Sequence, residues 1–117
     1  MRHRRSTVKL GMGRKHRDRV LASLAKALFL NDRVDTTYTR AKAGQRYAER
    51  LITRARRGDV HARRLAFAKL QDKQAVDRLF GELAPRFEGR LGGYTRVVRL
   101  GPRRGDGAEV ARLMLVE

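Results

Sequence analysis

Val20, Leu24 and Leu28 recur at four-residue intervals with Leu21, Ala25 and Phe29 beside them, so the segment from Arg17 to about Asn31 carries one apolar face. That period predicts an amphipathic helix. Arg33 to Tyr38 breaks the pattern with a valine, two threonines and a tyrosine, a composition that fits a short strand. A second helix is expected from a cap at Thr39, with Tyr47, Ala48, Leu51, Ile52 and Ala55 on one stripe, Arg40, Lys42, Arg46, Arg50 and Arg54 on other faces, and Gly58 at its end. Asp59 is placed to cap a third helix in which Leu65 and Leu70, with Ala62 and Ala66, face inward. Asp72 opens a further run with Val76, Leu79, Phe80 and Leu83, whose continuation Pro85 limits.

Beyond Gly92-Gly93, Tyr94 to Leu100 reads as a strand, and Glu109 to Val116 as another with Ala111, Leu113 and Leu115 on one face. Between them, Gly101 to Gly107 has the glycine, proline and Asp-Gly content of a β-hairpin loop. The order helix, strand, three helices, two strands predicts an α+β fold over residues 17–117, with helices covering one sheet face. No internal repeat is visible.

The start of the chain has a different character. Met1 to Arg17 holds seven Lys or Arg, two His, two glycines and no acid, with Val8, Leu10 and Met12 as the apolar side chains to bury. Ordering the sixteen residues before Arg17 costs roughly 15–30 kcal/mol of backbone entropy, at about 1–2 kcal/mol each. Residues 1–16 are therefore expected to be a basic extension that takes its order from a polyanion.

Charge sets the class of partner. The 117 residues include 29 Lys and Arg against 12 Asp and Glu, a net charge of +17, where an ordinary soluble surface carries about 2–8. Self-repulsion of that size calls for neutralisation by a polyanion, and nucleic acid is the expected one. No membrane partner is expected: the longest apolar runs, Ala27 to Leu30 and Leu113 to Val116, fall far short of the roughly 20 residues that span a bilayer. Lys9, Arg14 and Lys15 interrupt any signal-peptide core, so secretion is not expected, although an Arg-rich, acid-poor start also suits a transit peptide. With no cysteine, disulfides, thiolate metal sites and thiol nucleophiles are excluded.

Catalytic and metal-binding signals are lacking. His3, His16 and His61 stand apart, and the acids mostly sit beside arginines or at helix starts, so no enzymatic activity, cofactor, metal or small-molecule substrate is expected. The cations cluster instead. Arg54, Arg56, Arg57, His61, Arg63 and Arg64 bracket Gly58-Asp59, where two helix ends can present them together, and Arg96, Arg99, Arg103 and Arg104 lie along the hairpin. With Arg2, His3, Arg4, Arg5, Lys9, Arg14, Lys15, His16 and Arg17 of the basic start, they form the expected phosphate-binding set. Arginine heavily outnumbers lysine, which suits bidentate phosphate contacts and stacking on bases. Phe29, Phe67, Phe80 and Phe87 are expected in the core, leaving Tyr38 and Tyr94 as candidate base platforms. Without an aromatic RNA-recognition motif or a zinc finger, recognition is expected to rest on shape and backbone. A DNA-binding architectural protein is the alternative on charge, but no recognition helix or dimer pattern supports it.

Specific residue strings add a family. Met1-Arg2-His3, Lys9-Leu10, His16-Arg17, Thr36-Thr37 followed by Ala41-Lys42, Leu51-Ile52-Thr53, His61-Ala62-Arg63-Arg64, Ala84-Pro85-Arg86, Gly92-Gly93-Tyr94-Thr95-Arg96 and Arg103 to Gly107 together resemble the bacterial ribosomal protein L17 family, collinearly over essentially the whole chain. The resemblance implies a two-layer α/β fold and assembly on large-subunit ribosomal RNA near the peptide exit tunnel. It also implies neighbouring ribosomal proteins, a place in the cytoplasmic ribosome and no cofactor. It adds Thr36 and Lys42 to the expected RNA-binding residues. The chain departs from the family pattern at Thr7-Val8-Lys9-Leu10, where a Gly-Arg-Lys-Leu string is usual, and at Gly44.

Overall fold

The computed structural model describes residues 10–116. Helix α1 (Arg14–Asn31) leads into β1 (Arg33–Thr37), then α2 (Tyr38–Ala55), α3 (Val60–Leu70) and α4 (Lys73–Arg78). A π-helical turn (Leu79–Leu83) and a short α5 (Ala84–Arg86) continue α4 before β2 (Thr95–Pro102) and β3 (Glu109–Leu115). The fold is α+β, as the hydrophobic pattern predicts.

Helix boundaries depart from that pattern in three places. α1 begins at Arg14, not Arg17, because arginine and lysine sustain a helix by propensity where no apolar side chain marks it. The Arg17 N–H already bonds to the Gly13 carbonyl at 2.9 Å. Arg14, Lys15 and His16, assigned from sequence to the extension, are thus the first turn of α1. α2 begins at Tyr38 behind Thr37, not behind Thr39, since β1 runs directly into it. Pro85 does not stop the last helix; the π turn widens the backbone just ahead of it, where the proline ring would otherwise crowd a carbonyl of the preceding turn.

The two aspartate caps form as expected. Asp59 Oδ1 accepts from the Ala62 N–H at 2.7 Å and Asp72 Oδ1 from the Ala75 N–H at 3.0 Å, each stabilising its helix by about 1 kcal/mol. α1 and α3 end on Asp32 and Gln71 in the left-handed region, at φ 67° and 52°, with their N–H groups bonded back to Leu28 and Phe67 carbonyls.

The sheet is antiparallel with strand order β1-β3-β2, so the strand made last lies in the middle. Its register sets Val34 and Val97 beside Leu113, and Thr95 beside Leu115, on the face covered by helices. Arg33, Asp35, Arg96, Val98, Arg112 and Met114 occupy the other face, where Arg112 grips Asp35 through two hydrogen bonds of 2.8 and 3.1 Å. A bulge at Leu100 precedes Gly101, whose φ of +107° only glycine adopts readily.

Leu28 and Phe29 of α1, Leu51 and Ile52 of α2, Leu79 and Leu83 of the π turn, and Leu113 of β3 form a single core. α1 crosses α2 closely at Gly44, where a Cβ would meet the Leu24 side chain at 3.3 Å. Two expected core residues lie outside. Ala62, Ala66 and Leu70 of α3 face inward, whereas Leu65 and Phe67 flank that stripe by 100° on either side and are 37% and 50% exposed.

Candidate nucleic-acid interface

A dense cationic feature lies where the first turn of α1 meets α2. Arg14 and Arg17 of α1, Arg46, Arg50 and Arg54 at four-residue intervals on α2, and Lys69 at the end of α3 line a cleft of about 310 Å³. Asp18 is the one acid in its lining, and Tyr47, Leu21, Ala43 and Leu51 supply the rest. The Lys69 ammonium lies 6.0 Å from the Tyr47 ring centre, and burial, reinforced by the Asp18 charge, pushes the Tyr47 phenol up from its ordinary pKa. Among the described residues, Arg14, Arg17, Arg50 and Arg54 form no ion pair with an acid. The N-terminal dipole of α1 adds positive potential at the same place. Several guanidinium forks converging beside one carboxylate suit phosphate oxygens spaced along a backbone.

The cluster expected around Gly58 divides. Arg54 turns into this cleft and Arg56 turns inward to donate to the Tyr94 hydroxyl at 2.9 Å. Arg63 pairs with Asp77 and lies 5.5 Å from the Phe80 ring centre, while Arg57, His61 and Arg64 stay exposed. On the hairpin, Arg96 and Arg104 are exposed, but Arg99 lies 4.2 Å over the Tyr38 ring and pairs with Glu109 at 3.4 Å. Arg103 is held within its own loop by Asp106, its Nε donating to Oδ1 at 3.2 Å. Hydrogen bonds from Arg103 and the Ala108 N–H hold the Asp106 carboxyl down to about 2.

Lys15, His16 and Lys42 are exposed, whereas Thr36 is half-buried opposite Ala111 on the covered sheet face. Arg2, His3, Arg4, Arg5 and Lys9 lie outside the described residues. Tyr94 is corrected: it is 1% exposed, its ring tilted against Phe87 at 5.2 Å, so no face is open to a base. The Tyr38 ring is half-buried and carries Arg99 on it.

Arg46, Arg50 and Lys69 were absent from the expected set. Their four-residue spacing on α2 is visible in the sequence, but only the α1–α2 crossing shows that this face meets Arg14 and Arg17. Among the described residues no group of His, Asp and Glu is arranged to hold a metal ion, and no helix is long and apolar enough to cross a membrane.

Comparison with known proteins gives the class first: the relatives are proteins of the large ribosomal subunit. Large ribosomal subunit protein bL17 of Acidobacterium capsulatum is 50% identical over 116 residues, covering 99% of this chain and 72% of the relative. The protein of the same description from Clostridium novyi is 51% identical over 108 residues, covering 92% and 96%, and that from Campylobacter concisus 47% over 116 residues, covering 99% and 98%. Residues 20–116 match the family model described as Ribosomal protein L17. The chain belongs to the ribosomal protein L17 family, as the residue strings indicated. That family is a structural component of the ribosome, not an enzyme.

Proposed function

We propose that this chain is a structural constituent of the bacterial large ribosomal subunit that holds ribosomal RNA near the peptide exit tunnel through arginine and lysine contacts to phosphate, beside neighbouring ribosomal proteins. Family membership supports the assembly and its location. The observation that carries the mechanism is the α1–α2 cleft, where six cations face one another around a single aspartate. Binding phosphate there releases condensed counterions and relieves the mutual repulsion of the arginines. Residues 1–16, with their excess of cations, add contacts along the same polyanion; Arg14 to Arg17, standing on α1, join that segment to the cleft.

Sedimentation of the tagged full chain from lysate, at low and then high salt, tests the assembly. Comigration with the large subunit that survives high salt is expected. Release at high salt would reduce the chain to a generic polycation, and movement with DNA would favour an architectural role.

A further inference from the structure

A second surface feature lies between α3 and α4, separate from the cationic cleft. Val60, Phe67 and Val76 line a groove of about 360 Å³ whose rim carries Arg63, Arg64, Lys73 and Asp77. The α3 side is open, with Val60 65% and Phe67 50% exposed, while Val76 is buried beneath. The Arg63–Asp77 ion pair closes one side. Arg64 and Lys73 make no hydrogen bond or ion pair among the described residues.

We propose that this groove takes one unpaired base of the ribosomal RNA, stacked on the Phe67 ring, with Arg64 and Lys73 on the adjoining phosphates. The inference rests on the RNA-binding reading and adds a distinct subsite to it. Along α3, positions i, i+3, i+4 and i+7 read Val60, Arg63, Arg64 and Phe67. A docked protein helix lays its apolar face into a continuous apolar trough, and here Arg63 and Arg64 interrupt the α3 wall between Val60 and Phe67. Three cations against Asp77 leave the rim positive, which favours an anionic occupant. A nucleotide needs an open ring face flanked by cations, and that is what this groove offers. Its volume suits a small planar group rather than a duplex.

The test measures binding of the full chain to a transcript of the large-subunit ribosomal RNA. Phe67→Ala and Phe67→Leu are expected to weaken binding by about 5- to 100-fold with the salt slope unchanged, and Phe67→Trp to retain it. Because Phe67 is exposed, the unfolding midpoint of these variants should stay close to that of the parent. Ultraviolet crosslinking of assembled subunits should yield a nucleotide on the peptide containing Phe67. An Arg50→Gln, Arg54→Gln double variant separates the two ideas. If it loses affinity while Phe67→Ala and Phe67→Leu bind as the parent does, the stacking site is overturned and the RNA-binding reading stands. If neither loses affinity, the cleft and the stacking site are both overturned; a parent chain that does not bind the transcript would overturn the RNA-binding reading itself. A Phe67 crosslink to protein in place of RNA would overturn the proposal in favour of a protein neighbour.

Discussion

The Arg56 guanidinium donates a 2.9 Å hydrogen bond to the Tyr94 hydroxyl, which donates in turn to the Arg90 carbonyl at 3.3 Å. The end of α2 is thereby tied to the entry of β2 through a buried ring. Tyr94→Phe keeps the ring and removes the relay, leaving Arg56 without its acceptor. It should cost about 1–2 kcal/mol in urea unfolding while RNA affinity stays at the parent value. Reduced affinity at unchanged stability would return Tyr94 to the interface.

Arg78 is a second arginine spent on the fold. It donates to the Phe29 carbonyl, to Asp32 Oδ1 at 2.6 Å and to Glu82 Oε2 at 3.0 Å, joining the end of α1 to α4 and the π turn. Its acid partners are more than half exposed, so solvent screens much of the ion-pair contribution. The larger loss in Arg78→Ala is the carbonyl left without a donor, and about 1–3 kcal/mol is expected by chemical denaturation. Arg78→Lys should recover only part of it, because an ammonium does not span three acceptors as a planar fork does.

The cleft and the basic start should separate by salt dependence. Arg50→Gln with Arg54→Gln should make the slope of log affinity against log salt shallower by about 1.4–1.8, at roughly 0.7–0.9 per phosphate contact. Removing residues 1–9, which carry Arg2, Arg4, Arg5 and Lys9, should reduce it by about 2.8–3.6 on the same scale. A truncated chain with the parent slope would show that those four cations do not meet phosphate.

The hairpin loop should respond to acid. Asp106 has its carboxyl lowered to about 2 by Arg103 and the Ala108 N–H, so the charged form is the one the folded loop favours. Its stabilising contribution is complete above the ordinary aspartate range near 4 and is lost as pH falls through about 2. Carboxyl chemical shifts should give an Asp106 midpoint near that value, and Ala108 amide exchange, corrected for intrinsic rate, should lose protection below it.

Gln71 holds a left-handed φ of 52° at the end of α3. Gln71→Gly removes the Cβ strain at the cost of a freer unfolded chain. A net gain of up to about 1 kcal/mol is expected in thermal or urea unfolding.

Particular residues show how far the sequence could be read. The inner face of α1 was legible from Val20, Leu24 and Leu28 because burial there follows the helical period, but its start was not, since Arg14 to Arg17 carry no apolar signal. The caps at Asp59 and Asp72 were legible because the N–H groups they accept from lie three residues on. The pairing of β1 with β3 was not: the alternation in β3 shows that one face is covered and says nothing about which strand lies alongside. Phe67 and Tyr94 exchanged expected places, core for surface and surface for core. Burial of a single ring depends on what packs over it: the described residues leave Phe67 half exposed, while Phe87 lies against Tyr94. The arginine ladder on α2 was visible as spacing and became a cleft only through the helix crossing at Gly44.

The strand order carries a consequence for biosynthesis. β1 and β2 do not pair with each other, and both are hydrogen-bonded to β3, which leaves the ribosome after them. Until residues 109–115 emerge, a nascent chain holds its helices and two separate edges with no sheet between them. Closure of the sheet is thus a late event that one heptapeptide triggers, and a chain interrupted before Glu109 would lack the strand on which both of its neighbours depend.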